Sequence, residues 1–194
     1  EARRLFVKFD AWLTHEIPLI REAFPDVPWI FLYREPEEVL VSHQRMPGLH
    51  MVPGEIPSLR ARHAFNAGES TWMQYRAQVL GSILEAGASQ HQPGTSRLVH
   101  YRELPDAVFD AVTNCFGLDL SPGEIAAMQA VTQRNAKRPL ENFQPDREGK
   151  QSAVDESISA VCASWATAPY QYLEILRARQ PVCHAPPRNQ PVCP

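Results

Sequence analysis

No stretch of this 194-residue chain is long and apolar enough to cross a membrane, and no charged-then-apolar targeting segment opens it. A surplus of positive charge is missing too: 19 Lys and Arg stand against 22 Asp and Glu, a net charge of −3. That balance excludes a general nucleic-acid binder and requires any phosphate site to be a local basic cluster. Cysteine is sparse, and Cys115, Cys162, Cys183 and Cys193 are too scattered for metal-ligand spacing. Cys115 and Cys162 lie among apolar helical residues and are expected to act as small core hydrophobes. Internal repeats are absent apart from two Pro-Val-Cys tripeptides in a Pro-rich tail, residues 181–194. With His184 beside the first tripeptide, that tail admits a metal or a disulfide; a disordered tail with exposed thiols is the expectation, and it is assigned no chemistry. The first residue is Glu, not Met, so the natural start is expected upstream, and a cytoplasmic location is the expectation.

What the chain does contain suits one globular domain over residues 1–180, with length enough for a core. At 44% hydrophobic and 21% charged residues, wholesale disorder is excluded. The stretch from Pro28 to Arg45 organises the rest. Trp29-Ile30-Phe31-Leu32-Tyr33 is a continuous apolar and aromatic run, as expected for a strand buried on both faces of a parallel sheet. Pro36 then suits the first position of a helix, where a missing N–H is harmless, and Glu35, Glu37 and Glu38 complement the positive end of its dipole. Arg34 thus falls at the carboxyl end of a strand, where open α/β sheets bind ligands. Ser42 follows about two turns into the helix, within reach of an anion held by the Arg34 guanidinium. A phosphate is the expected anion, against the plainer reading of a strand-end Arg and a solvated Ser.

Elsewhere the pattern predicts a strand over 4–9, a short helix from an N-cap at Thr14 to Phe24, and a break at Pro25-Asp26. Strand, helix, strand, helix is a βαβ order and implies a parallel sheet. Residues 46–57 carry three Pro and two Gly and read as a surface loop, a candidate lid over a substrate. Residues 58–88 read as helix interrupted near Gly68, with Trp72, Tyr75, Val79, Leu80 and Ile83 as an apolar face. A turn over 90–95 leads to a strand over 97–101, and a helix over 105–116 is stopped by Gly117. Ser121-Pro122-Gly123-Glu124 opens another helix with a capping box. Residues 135–150 have no clear period but concentrate Lys137, Arg138, Arg147 and Lys150, and the helix expected over 153–179 should break or kink at Pro169.

Arg34-x-Pro36-x5-Ser42 after an aromatic strand resembles the 3′-phosphate-binding segment of the sulfotransferases that use 3′-phosphoadenosine 5′-phosphosulfate (PAPS). In that family the Arg and the Ser hold the 3′-phosphate. Lys8-Phe9-Asp10 lies where the cytosolic members carry Lys-x-His, with the Lys near the sulfuryl group and the His as base. Here Asp10 replaces the His; a carboxylate can accept a hydroxyl proton if burial raises its pKa. The alternative is that Asp10 caps the following turn with Lys8 as its partner, and His15 is a second candidate base. Tyr101-Arg102-Glu103-Leu104 resembles the family's Tyr-Glu-x-Leu signature, whose Tyr lies by the adenine, with Arg102 at the usual Glu position. Lys137-Arg138-Pro139 and the stretch 143–150 look like the segment of bacterial members that closes over the 3′-phosphate end, which implicates Lys137 and Lys150.

The resemblance covers roughly residues 5–180 and lacks one part. The family's 5′-phosphosulfate loop, a Gly-rich turn with Lys or Arg and Ser or Thr, is not in this sequence. The fold implied is a three-layer α/β sheet of the P-loop nucleotide-binding type without its first strand and loop. The function implied is sulfuryl transfer from PAPS to a hydroxyl or amine of a small-molecule or carbohydrate acceptor, by in-line displacement, leaving adenosine 3′,5′-bisphosphate (PAP), with no metal. Two rivals stand beside it: a non-catalytic nucleotide-binding remnant, and a P-loop small-molecule kinase, against which the Arg-to-Ser spacing argues because ATP has no 3′-phosphate.

Overall fold

Trp29–Tyr33 forms a strand, β1, and Ser96–His100 forms β2; the two pair in parallel, with Trp29 opposite Ser96 and Tyr33 opposite His100. The computed structural model describes residues 5–63, 65–66, 70–135, 138–142 and 147–180. Gly68, Lys137, residues 143–146 and the tail from 181, with Cys183 and Cys193, lie outside the described residues. The chain is α/β and 62% helical, and among the described residues its parallel sheet has two strands. The three-layer sheet expected from the sequence is not shown.

Before β1 come a 3-10 helix, Ala11–Glu16, and α1, Ile17–Ala23. The crossover from β1 to β2 runs through α2 (Pro36–Arg45), a 3-10 turn (Leu49–Met51), α3 (Pro57–Arg62) and α4 (Trp72–Ser89). After β2 follow a 3-10 turn (Tyr101–Glu103), a π-helical turn (Val108–Val112), α5 (Thr113–Cys115) and α6 (Pro122–Thr132). An antiparallel pair, β3 (Arg134–Asn135) and β4 (Arg138–Asn142), leads to α7 (Arg147–Gln151), α8 (Glu156–Trp165) and α9 (Thr167–Arg179).

Several local expectations hold. Pro36 opens α2, and Ser121 caps α6 in a reciprocal box with Glu124. Gly117 takes a φ of 58°, a left-handed conformation, and ends the helical stretch before it. Cys115 and Cys162 are buried free thiols, and the Cys162 thiol is pushed up to about 12 by burial and then by the Glu37 charge.

Other expectations are corrected. Residues 5–9 form no strand; Leu5, Phe6, Val7 and Phe9 are exposed, and the segment takes neither edge of the β1–β2 pair as a ladder partner. Leu32 is 50% exposed, so β1 is covered on the face of Phe31 and Tyr33 and not on both. Thr14 caps nothing: it lies inside the 3-10 helix and its hydroxyl donates to the Ala11 carbonyl at 2.6 Å. Trp72, expected in the apolar face, is half exposed, while Tyr75, Val79, Leu80 and Ile83 are buried as expected. The last helical region breaks at Ala166 and not at Pro169, which sits in the first turn of α9, where its missing N–H is tolerated. In the 46–57 loop, Met51 is buried and anchors the backbone to the core.

The core is built on α4. Its capping box, Thr71 with Gln74, fixes where it starts, and Tyr75, Val79, Leu80, Ile83 and Leu84 enter one apolar cluster with Phe31, Leu40, Leu98, Ile158 and Leu173. Full burial of side chains of this size stabilises by about 1.5–3 kcal/mol each. Two glycines of α4 allow close approach: a Cβ on Gly81 would stand 2.2 Å from the Trp165 carbonyl oxygen, and one on Gly87 would stand 2.5 Å from the Phe31 ring.

The outer edge of β2 is closed by a side chain. The Gln180 amide, just past α9, accepts from Leu98 N–H at 3.0 Å and donates to the Leu98 carbonyl at 2.8 Å, the two bonds a third strand would make. Gln180→Ala should therefore destabilise the chain by about 1–3 kcal/mol in urea unfolding, since a buried backbone donor and acceptor lose their partners. Gly81→Ala should destabilise by about 1–3 kcal/mol despite the better helix former, because backbone atoms occupy the space. Gly123→Ala in α6, where a Cβ meets nothing within 4 Å, should instead stabilise by up to about 1 kcal/mol. Opposite signs in the same unfolding assay check both.

Candidate functional site

The carboxyl ends of β1 and β2 lie side by side, so the residues that follow them, Arg34-Glu35 and Tyr101-Arg102-Glu103, form one surface. Beneath that surface is a polar network to which α9 contributes Tyr170, Glu174 and Arg177. Spacings of four and three residues place these three along one face of the helix. Glu174 accepts from the Tyr33 hydroxyl at 2.5 Å and pairs with Arg102 at 2.7 Å and Arg177 at 2.9 Å. Arg177 also donates to the Tyr33 hydroxyl at 3.1 Å and pairs with Glu103 at 2.8 Å.

His100, fully buried at the end of β2, is the centre of the network. Its Nδ1 accepts from the Arg102 N–H at 3.1 Å, so Nε2 carries the ring proton of the neutral form. Nε2 lies 3.2 Å from the Tyr170 hydroxyl and 3.5 Å from Glu35. Burial lowers the His100 pKa, against the opposing charge of Glu35. Tyr33 is raised, by burial first and then by its bond to Glu174. Burial alone would raise Glu174 as well, but bonds from Arg177 and Tyr33 outweigh it and hold the carboxyl at about 2.

On the outer surface the Arg34 guanidinium lies over the Tyr101 ring, 4.6 Å from its centroid, a cation–π arrangement. Arg34 also pairs with Glu38, one turn into α2, whose carboxylate is almost fully buried. Glu38 in turn accepts from Gln151 at 3.4 Å, and Arg45 donates to the Gly149 carbonyl at 3.2 Å. These bonds bring α7 along α2, so that Lys150, buried in α7, joins the helix opened after Arg34. Ser42 is half-buried, one turn beyond Glu38.

Four of the residues singled out from the sequence therefore fall on adjoining elements: Arg34 and Tyr101 in contact, Ser42 on α2, and Lys150 on α7 beside it. Lys137 lies outside the described residues. Lys8 and Asp10 stand elsewhere, both exposed, with no ion pair between them among the described residues. Asp10 precedes the 3-10 helix without a side-chain cap bond, and the titratable group near it is His50, whose pKa burial lowers against the Asp10 charge. Asp10 is exposed, not buried as the sequence reading requires of a base.

Sequence reasoning missed His100, Tyr170, Glu174 and Arg177. The face spacing of the last three was readable, but nothing local indicated that α9 crosses the strand ends. Comparison with protein-family models, with curated proteins and with solved structures finds no match.

The Glu174 carboxylate yields a pH dependence of stability. Its folded pKa is depressed below the unfolded value, so its contribution is present above about pH 5 and is lost as pH falls toward about 2. Unfolding followed from pH 7 to pH 2 should show this loss, on the order of 2–3 kcal/mol. Glu174→Gln should be less stable at pH 7 and show a shallower acid dependence. An identical acid slope in the variant would contradict the assignment.

Proposed function

We propose that the strand ends bind the 3′-phosphate end of PAPS and that the chain serves sulfuryl transfer to a hydroxyl or amine acceptor. The observation that carries this reading is the Arg34–Tyr101 contact at the carboxyl ends of neighbouring parallel strands. It joins, from segments far apart in sequence, a cation for a phosphate and an aromatic face for a purine. Arg45, at the end of α2, and Lys150, on α7 packed along it, supply further positive charge, and Ser42 a hydroxyl. Glu38 opposes an anion here, so a bound phosphate has to share the Arg34 guanidinium with that carboxylate.

In this reading Arg34, Ser42 and Lys150 hold the 3′-phosphate, Tyr101 lies against the adenine, and Lys137 adds a second closing cation. PAPS, when bound, supplies the sulfuryl group. Lys8 steadies that group and Asp10 takes the acceptor proton. A second reading, a nucleotide-binding module without catalysis, is favoured by the exposure of Lys8 and Asp10 away from the Arg34 cluster. Both readings share the nucleotide site.

Calorimetric titration of PAP, with ADP as comparator, tests that site. PAP should bind at least about tenfold more tightly than ADP, and Arg34→Ala should remove the preference, a loss on the order of 1.5–3 kcal/mol. Arg34→Lys, which keeps a charge beside buried Glu38, controls for folding and should retain part of the preference. Equal binding of ADP, indifferent to position 34, would overturn the assignment. Formation of PAP together with sulfated acceptor, from PAPS and a hydroxyl or amine acceptor, then separates enzyme from binding module.

A further inference from the structure

A second polar cluster shares no residue with the strand-end network. It centres on Ser82, in the middle of α4. The Ser82 hydroxyl lies 2.9 Å from the Val79 carbonyl, 2.9 Å from His63 Nε2 and 3.3 Å from His15 Nε2. A carbonyl only accepts, so the hydroxyl proton goes to Val79 and the two oxygen lone pairs face the imidazoles. Both rings then carry their proton on Nε2. Nδ1 of His63 keeps a lone pair, with no hydrogen-bond partner among the described residues. Burial, and then the Arg62 charge, hold the His63 pKa below the usual histidine value, so the ring is neutral at pH 7.

Beside this cluster is a cavity of about 420 Å³ lined by Arg62, His63, Gln78, Ser82, Glu85 and Trp165. Its volume lies in the range of small-molecule sites, which run from about 300 to 1,000 Å³. The Arg62 guanidinium has no hydrogen-bond or ion partner among the described residues, and Trp165 is 48% exposed. One unengaged cation calls for one anionic group, best a planar carboxylate that it can grip with two parallel bonds. The His63 Nδ1 lone pair, the Glu85 carboxylate and the Gln78 carbonyl are acceptors and call for hydroxyl donors on the same ligand. An indole face takes the C–H face of a ring. A bare inorganic anion would leave the acceptors unmatched, and a neutral apolar ligand would leave the guanidinium unmatched.

We infer that this cavity binds a sugar acid of monosaccharide size, its carboxylate on Arg62, its hydroxyls on His63, Gln78 and Glu85, and its ring against Trp165. The inference does not depend on the PAPS reading, since neither site contributes a residue to the other.

The test is calorimetric titration of sodium glucuronate into the full chain at pH 7, with glucose at matched ionic strength as the neutral comparator. Glucuronate should bind with Kd on the order of 1 mM and glucose at least about tenfold more weakly. Arg62→Gln, at an exposed position, should weaken glucuronate at least about tenfold without moving the melting temperature. Glucose binding as tightly as glucuronate would overturn the inference. So would unchanged affinity in Arg62→Gln, or no heat from glucuronate up to about 20 mM.

Discussion

The strand ends depend on one guanidinium. Arg177 gathers the Tyr33 hydroxyl, Glu174 and Glu103 around a single positive charge; without it Glu103 would lose that cation and Glu174 would keep only the more exposed Arg102. Each of these partners belongs to a different part of the fold: β1, α9 itself, and the turn after β2. The ion cluster thus ties the last helix to both strands at their carboxyl ends. The Arg34–Tyr101 contact follows from it, because the residues immediately beyond Tyr33 and His100 are held at neighbouring points.

How far the fold could be read from the sequence depended on whether the determining interactions were local. β1 and α2 were legible because an aromatic run, a proline at the first helical position and flanking glutamates all act within a few residues of one another. The Ser121 box was legible for the same reason. Residues 4–9 have the composition of a strand, but pairing is a property of two segments, and β1 takes β2 as its partner in this chain. Leu32 illustrates the same point: its hydrophobicity says nothing about whether a layer covers it.

The candidate sites divide in the same way. Arg34 and Ser42 flank and belong to one helix and were readable together, and Lys150 was singled out by the family resemblance of a basic stretch. The role of Glu38 was not readable: it was assigned to the helix dipole, whereas its buried carboxylate holds Arg34 and Gln151. The Ser82 cluster draws on the first 3-10 helix, the end of α3 and the middle of α4, and no spacing rule connects three such segments. The two basic sites also differ in kind. Arg34 carries a resident counter-charge that a ligand must share, whereas Arg62 meets solvent in a cavity whose other groups mostly accept protons.

The amide of Gln180 gives the sheet two unlike edges. Leu98 exchanges its outward hydrogen bonds with a side chain at the very end of α9, while the outward backbone groups of Ile30 and Leu32 meet no partner among the described residues. Helix ends open far more often than whole domains do. The Leu98 amide deuteron should therefore appear at the pace of α9's terminal turn fraying, whereas those of Phe31 and Tyr33, donated inward to β2, await separation of the strands themselves. A single sheet would thus report two opening motions, one governed by a helix and one by the core.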